Sequence, residues 1–223
     1  MSGKIRIEFH CHSNASADSL VKPGDLVAFC RQREIDRVVV TDHNTIAGAL
    51  QAKAIDPERV IVGEEIATTK GELLAAYVKE EIPRGLTPDE TIKRLREQGA
   101  FISVSHPFDN LRGKYWQKED LKELLPQLDA IEIFNSRCLR TSFNNEAEDF
   151  AGMHNVQGTS GSDAHTLMEL GRAAMTLPVF DDAASLRLAL LQVEYSRVRS
   201  GLAARLASRY AFFYNRYISS NDF

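Results

Sequence analysis

Short apolar runs alternate with helical patterns along almost the whole chain, and this alternation constrains the fold more than any other feature. Residues 38–40 form a β-branched run of the kind found in buried parallel strands. Thr87 and Pro88 suit the cap and first position of a following helix, which extends to about Gly99. Repeated strand–helix units imply a parallel sheet with helices outside, either an open doubly wound sheet or a closed barrel.

The predicted strands are spread evenly over the chain, without a sequence repeat or a clear linker before residue 195. They cover residues 5–9, 37–41, 60–62, 73–78, 101–104, 130–134, 156–160 and 174–179. This organisation predicts one α/β domain over residues 1–195, followed by a separate C-terminal segment, residues 196–223.

Composition excludes several classes of protein. The 223 residues carry a net charge of -4, which offers no basic surface for a stable nucleic-acid complex. We expect no membrane association, because no stretch is long and apolar enough to cross a bilayer. Three cysteines without C-x-x-C spacing argue against a disulfide framework or a thiolate zinc site. These features, with no visible secretory signal, favour a cytoplasmic protein.

The C-terminal segment is basic and rich in aromatic residues between residues 197 and 217. Such a helix can indicate a membrane surface or nucleic acid. We favour an amphipathic helix whose apolar side chains pack on the main domain or on a second subunit, so that a homo-oligomer is possible. The side chains expected to pack are Leu202, Leu206, Phe213 and Tyr217.

Histidines and carboxylates collect where predicted strands end. Five of the six histidines directly follow such strands, namely His10, His12, His43, His106 and His165. The accompanying carboxylates are Asp18, Asp42, Glu64, Glu65, Glu132 and Asp163. Because the carboxyl ends of parallel strands gather on one face, we expect these groups to converge there.

The spacing of these residues suits a metal centre. His10 and His12 are two residues apart on a strand, so both imidazoles can reach one ion. Asp163 and His165 repeat that spacing with a carboxylate and an imidazole. Such a donor set without thiolate suits Zn, Mn or Fe, and two ions can share a bridging carboxylate.

The chain resembles the polymerase and histidinol phosphatase (PHP) domain family of metal-dependent phosphoesterases, and most closely its small stand-alone members. The resemblance covers residues 5 to 180 and implies a distorted seven-stranded (β/α) barrel with a metal cluster at its mouth. The matching segments are Phe9-His10-Cys11-His12, Ser16-Ala17-Asp18, Thr41-Asp42-His43-Asn44-Thr45, Gly63-Glu64-Glu65-Ile66, Ser105-His106-Pro107, Glu132-Ile133-Phe134-Asn135-Ser136-Arg137 and Gly161-Ser162-Asp163-Ala164-His165.

The resemblance also implies which residues hold two or three divalent ions. One ion is assigned to His10, His12, Glu65 and Asp163, a second to Asp18, His43 and His165, and a third to Glu65, His106 and one further residue. Many family members have a histidine where this chain has Glu72, which can ligate as a carboxylate. Asp42 and Glu64 are expected to support ligands or cap turns instead.

The implied chemistry is hydrolysis of a phosphate ester of a small metabolite, a nucleotide or a short oligonucleotide end. A hydroxide bridging two cations attacks phosphorus in line, and the cations offset charge on the phosphoryl oxygens. Arg112 and Arg137 are candidates for further phosphate contacts, because a guanidinium binds phosphate bidentately. Two alternatives stay open: an amidohydrolase-like hydrolase of C–N bonds, and a non-catalytic PHP-like binding module.

Overall fold

The computed structural model describes residues 3–218, which form a mixed α/β domain. In chain order the strands and α-helices are β1 Lys4–Cys11, α1 Pro23–Gln32, β2 Arg37–Val40, α2 Ala47–Ile55, β3 Val60–Ala67, β4 Glu72–Ala76, α3 Pro88–Glu97, β5 Phe101–Val104, α4 Lys118–Leu124, β6 Ala130–Asn135, α5 Thr141–Met153, β7 Gln157–Gly161, β8 Met175–Pro178, α6 Ala183–Ala189, β9 Glu194–Tyr195 and α7 Leu202–Tyr217.

The nine strands found among residues 3–218 form one sheet that curls into a nearly closed barrel. Their order is β7-β6-β5-β4-β3-β2-β1-β8-β9. The first half of β1 pairs with β8, whereas its end forms a parallel bridge between Cys11 and Ala164, just after β7. That bridge joins the two ends of a seven-stranded barrel, and the seven-stranded (β/α) barrel expected from the family resemblance is confirmed.

The parallel sheet inferred from the strand–helix alternation is wrong at two places. Strand β4 runs antiparallel to both β3 and β5, and β8 runs antiparallel to β1. Only four residues separate β3 from β4, and a connection this short joins antiparallel strands, since parallel neighbours need a crossover of a dozen or more residues.

The polar face of β1 points into the protein, whereas the polar face of a half-exposed strand points to solvent. The polar residues Glu8 and His10 of β1, and His12 directly after it, are all buried and lie on the same side of the strand. The Glu8 carboxylate accepts hydrogen bonds from the backbone N–H groups of Ser162 (3.0 Å) and Gly171 (2.8 Å). A buried carboxylate thereby connects β1 to the segment after β7, and the interior of the barrel is polar near its mouth.

The helices cover the outside of the barrel with their apolar faces. In α3, Ile92 and Leu95 are buried, and the side chain of Thr87 accepts a hydrogen bond from the N–H of Glu90 as the predicted cap. Gly99 follows this helix with a φ of 76°, a conformation that glycine adopts at little cost.

Helix α7 departs from the predicted packing. Its buried side chains are Ser208 and Ala211. The four apolar side chains expected to pack on the main domain are all more than half exposed: Leu202, Leu206, Phe213 and Tyr217. These four side chains are therefore not packed on the barrel, because the helix contacts the domain through small and polar residues. Their packing on a second subunit, the other expected arrangement, stays a prediction. No helix among residues 3–218 is both long and apolar enough to span a membrane.

Candidate metal centre

Eight of the nine predicted ligands lie within the strands that surround the mouth of the barrel or a few residues after them, and Asp18 lies in the loop after β1. The eight come from the end of β1 and the residue after it, the segments after β2, β5 and β7, the interior of β3 and the first residue of β4. All nine come together at this mouth: His10, His12, Asp18, His43, Glu65, Glu72, His106, Asp163 and His165.

Glu65 lies at the centre of the cluster. Its Oε1 is 3.1 Å from Nε2 of His106 and 3.4 Å from Nε2 of His10. Its Oε2 is 2.9 Å from Nδ1 of His43 and 3.5 Å from Nε2 of His12. A carboxylate with one oxygen toward each pair of imidazoles has the geometry needed to bridge two cations.

Two further carboxylates complete the two sides of the cluster. Oδ1 of Asp163 is 3.3 Å from Nε2 of His12 and 3.7 Å from Nε2 of His10. Oδ2 of Asp18 is 3.0 Å from Nε2 of His165. The donor atoms of His10, His12 and Asp163 lie within 4.8 Å of one another, which is a spacing that one ion can span.

Glu72 occupies the position at which many members of the resembled family have a histidine. Its Oε2 is 3.4 Å from Nε2 of His106, and its donor atom groups with those of His43 and Glu65. The side chain is 23% exposed, unlike those of His10, His12 and Glu65, which are fully buried. Glu72 can therefore hold an ion, from the more open side of the cluster.

The cluster contains buried donor atoms that have no hydrogen-bond partner among the described residues. These atoms are Nε2 of His10, His12 and His165, Oδ1 of Asp18 and Asp163, and Oε2 of Glu65. Leaving even one such group unpaired costs about 1 to 3 kcal/mol, so six in one place call for a common partner. Divalent cations fit this set, since every atom is an imidazole nitrogen or a carboxylate oxygen.

The opposite ring nitrogens of the histidines are held by supporting residues. Nδ1 of His10 donates to Oε1 of Glu132 at 2.9 Å, which leaves Nε2 free to ligate. Glu132 also accepts from the backbone N–H of His106 at 2.8 Å. Glu132 therefore orients two of the predicted ligands, His10 and His106, and lies behind the cluster rather than within it.

Asp42 acts through Ser16. Its carboxylate accepts hydrogen bonds from the Ser16 hydroxyl (2.8 Å) and the Ser13 hydroxyl (2.7 Å). The Ser16 hydroxyl oxygen lies 3.2 Å from Nδ1 of His12 and accepts from the N–H of His43. Nothing in the sequence indicates this role for Ser16, which lies in the matching segment Ser16-Ala17-Asp18.

The charges within the cluster strongly shift its pKa values. Burial opposes ionisation of Glu65, but His10 and His43 outweigh it and hold the pKa of this carboxyl well below its usual range. Burial, reinforced by His165 and His43, lowers the pKa of His12 well below its ordinary value. His12 is thus neutral at physiological pH and able to donate its lone pair to a cation.

Two cluster residues adopt unusual backbone conformations. Asp163 has a φ of 52° and His106 a φ of 22°, both in the left-handed half of the φ range. Conformations of this kind cost about 1 to 3 kcal/mol each and persist where surrounding contacts impose them. Here they turn the two side chains back toward Glu65 and His12.

The two predicted arginines lie beside the cluster in different settings. Arg112 contacts Asp163 at 2.5 Å and Asp109 at 3.2 Å, while its Nη1 has no hydrogen bond within residues 3–218. Arg137 is only 7% exposed and uses its guanidinium to contact the His165 ring, Ser208 (2.6 Å) and the carbonyl of Ala204 (3.3 Å). Arg112 therefore keeps a free donor, whereas Arg137 connects α7 to the His165 segment.

Comparison with known proteins agrees with this geometry. A family model described as "PHP domain" matches residues 8–133, and one described as "PHP-associated" matches residues 141–192. The chain belongs to the PHP domain family. An uncharacterized protein of Methanocaldococcus jannaschii is 36% identical over 172 residues, which make up 76% of this chain and 69% of that protein.

Solved PHP-like structures share the fold. A two-domain protein of Bacteroides vulgatus that contains a predicted PHP-like metal-dependent phosphoesterase has a TM-score of 0.70 and 17% identity. The match covers 88% of this PHP chain but only 65% of that protein. A putative metal-dependent phosphoesterase of Bifidobacterium adolescentis has a TM-score of 0.63 and 16% identity, with 88% and 97% of the two chains covered. At these identities the likeness concerns the fold alone.

Proposed function

We propose that this PHP protein is a metal-dependent phosphoesterase that hydrolyses a phosphate ester of a small metabolite or nucleotide. The observation that carries the proposal is the set of six buried, unpartnered donor atoms next to a cavity with four arginines. Those arginines are Arg112, Arg137, Arg205 and Arg209. Donors that suit cations, next to the free guanidinium donor of Arg112, favour a substrate whose phosphoryl group contacts both.

The ligand sets carried over from the family fit the distances in the cluster. We assign one ion to His10, His12, Glu65 and Asp163, and a second to Asp18, His43 and His165, with Glu65 able to serve a third beside His106 and Glu72. Ions bound there would supply positive charge for the phosphoryl oxygens and lower the pKa of a bound water. Zn, Mn and Fe all suit this mixture of imidazole and carboxylate.

The residues of the chain itself would orient the substrate. Arg112 can donate from Nη1 to a phosphoryl oxygen while its other nitrogens stay on Asp163 and Asp109. The Asp163 contact holds the guanidinium close to the cluster, so the substrate meets a donor that is already positioned. Arg137 is assigned a positioning role, because its guanidinium is occupied by contacts with His165 and helix α7.

Replacement of Glu72 tests the third ion. We expect Glu72→Gln, which keeps the size of the side chain but removes its charge, to lower the metal content by one ion per chain. The buried pair of sites should stay filled, since the Glu72 carboxylate lies at the open side of the cluster, 3.4 Å from His106. Elemental analysis after dialysis measures this, and an unchanged metal content would show that Glu72 holds no ion.

Turnover of simple esters tests the proposed reaction. We expect metal-loaded protein to hydrolyse p-nitrophenyl phosphate or its bis ester in the presence of Mn, Zn or Fe, and Arg112→Ala to lower that turnover. Absence of turnover with both esters and all three metals would count against the proposal. Hydrolysis of amides or lactams, with Arg112→Ala harmless, would favour the C–N hydrolase alternative instead.

A further inference from the structure

A cavity of about 470 Å³ opens directly beside the candidate metal centre. Asp18, His43 and His165 of the cluster line its inner side. Its outer side is formed by helix α7, which supplies Leu202, Arg205, Leu206, Ser208 and Arg209. These positions recur at spacings of three and four, so one face of the helix is turned toward the cluster.

Helix α7 is held on the cluster by polar contacts. Arg205 donates to the carbonyl oxygen of Arg137 at 2.6 Å, and Arg137 donates to the hydroxyl of Ser208 at 2.6 Å. Near the other end of the helix, Asn215 donates to the carbonyl of Ala17 at 2.9 Å, next to Asp18. These polar contacts hold helix α7 against the segments that carry Asp18 and His165.

Arg209 differs from the other three arginines of the cavity. It is exposed, and its guanidinium makes no hydrogen bond or ion pair within residues 3–218, whereas Arg112, Arg137 and Arg205 are all engaged. The same side chain also borders a second cavity of about 400 Å³. Asp18 and Ser208 line both cavities, so the second one adjoins the first next to Arg209.

Half of the residues that line the second cavity are aromatic. Its walls include Phe212, Phe213 and Tyr217, three of the exposed large side chains of helix α7. Aromatic rings bind apolar or planar groups, and they contribute large contact areas when they do. The second cavity therefore has the chemistry to accept an aromatic or apolar group.

We propose that helix α7 selects the substrate, with Arg209 binding a second anionic group of the phosphate ester and the aromatic cavity accepting its ring or apolar part. This inference rests on the proposed phosphoesterase function. The preferred substrate class is then a phosphate ester that carries a further carboxylate or phosphate on an aromatic or apolar body. Arg209 is free to form a charge-assisted pair with such a group without breaking an existing one.

Binding of two matched phosphonates tests the proposal without depending on turnover. Phenylphosphonate and 4-carboxyphenylphosphonate differ by a single carboxylate, and titration calorimetry on the metal-loaded full chain gives both Kd values. We expect wild-type protein to bind the carboxylated compound more tightly. Arg209→Ala should raise the Kd of the carboxylated compound roughly tenfold, while the Kd of phenylphosphonate stays within about twofold. The melting temperature should be unchanged, because Arg209 is exposed.

Two further variants sharpen the result. Arg84→Ala removes the same charge from an exposed residue that borders neither cavity, so both Kd values should match those of wild type. Arg209→Lys should retain part of the preference. The inference would be overturned if Arg209→Ala weakened the binding of both compounds equally or of neither. It would also be overturned if wild-type protein failed to bind the phosphonates. Failure of the proposed phosphoesterase function would give a different result. Both phosphonates would then bind as expected, while p-nitrophenyl phosphate and its bis ester would not be hydrolysed.

Discussion

Glu65→Gln is expected to remove most of the bound metal and to abolish ester hydrolysis. Its two carboxylate oxygens lie near four imidazoles, so the amide would lose the charge and one of the two acceptor oxygens at the centre of the cluster. Loss of a residue that only supports a ligand costs roughly 10- to 100-fold in metal affinity or activity, and the loss from Glu65→Gln should exceed that range.

The neighbouring residue provides a matched control. Glu64 lies on the same strand, but it accepts from the N–H of Ile82 and does not face the cluster. Burial raises the pKa of Glu64 to about 8, so the carboxyl is largely protonated at neutral pH and Gln imitates it closely. We expect Glu64→Gln to keep both metal and activity. Equal metal contents in the two variants would contradict the central position of Glu65.

Asp129→Ala is expected to have the largest effect on stability while leaving the metal centre intact. This carboxylate accepts hydrogen bonds from Arg96 (2.7 and 3.0 Å), Arg187 (2.7 and 3.1 Å) and the N–H of Ile102 (2.8 Å). It precedes β6, at the end of the barrel opposite the cluster. We expect a loss of about 2 to 4 kcal/mol, seen as a melting temperature lower by roughly 5 to 15 °C.

The effect of Asp129→Ala should depend on pH. Burial opposes ionisation of Asp129, but its bonds to Arg187 and Arg96 outweigh it and lower the pKa of the carboxyl. The stabilisation is therefore complete above the ordinary aspartate pKa of about 3.9 and is lost as the pH falls below it. Asp120→Ala, which removes a surface pair with Lys70, should cost at most about 1 kcal/mol. Equal losses in the two variants would show that Asp129 is not a structural junction.

The strand–helix pattern predicted most of the architecture, and its failures have physical causes. β5 lies at the predicted residues, because its apolar run is bounded by Gly99 and Ser105. The antiparallel direction of β4 is not evident from the sequence, since an apolar run reads the same in either direction. The burial of Glu8 is equally hidden, because alternation shows that a strand has a polar face but not that this face points into a barrel.

For the candidate site, the sequence identified the residues that carry donor atoms but not those that hold them in place. Histidines at strand ends are visible because strands end where apolar runs end. The hydroxyl of Ser16 is not, since its contact with His12 depends on the fold of the loop between them. The nearness of Arg209 to the cluster was equally hidden, because helix α7 follows the barrel strands by many residues and its spacing indicates only an amphipathic helix.

The most direct test of the metal-centre assignment is elemental analysis of protein never exposed to chelator, with ester turnover on the same samples. Wild type, His10→Ala and His154→Ala form the set, because His154 lies after α5 and contacts Phe150 rather than the cluster. We predict two or more ions per chain in wild type and His154→Ala, and fewer in His10→Ala together with loss of hydrolysis. Wild-type protein that is folded yet binds no metal would contradict the assignment of a metal centre to this cluster.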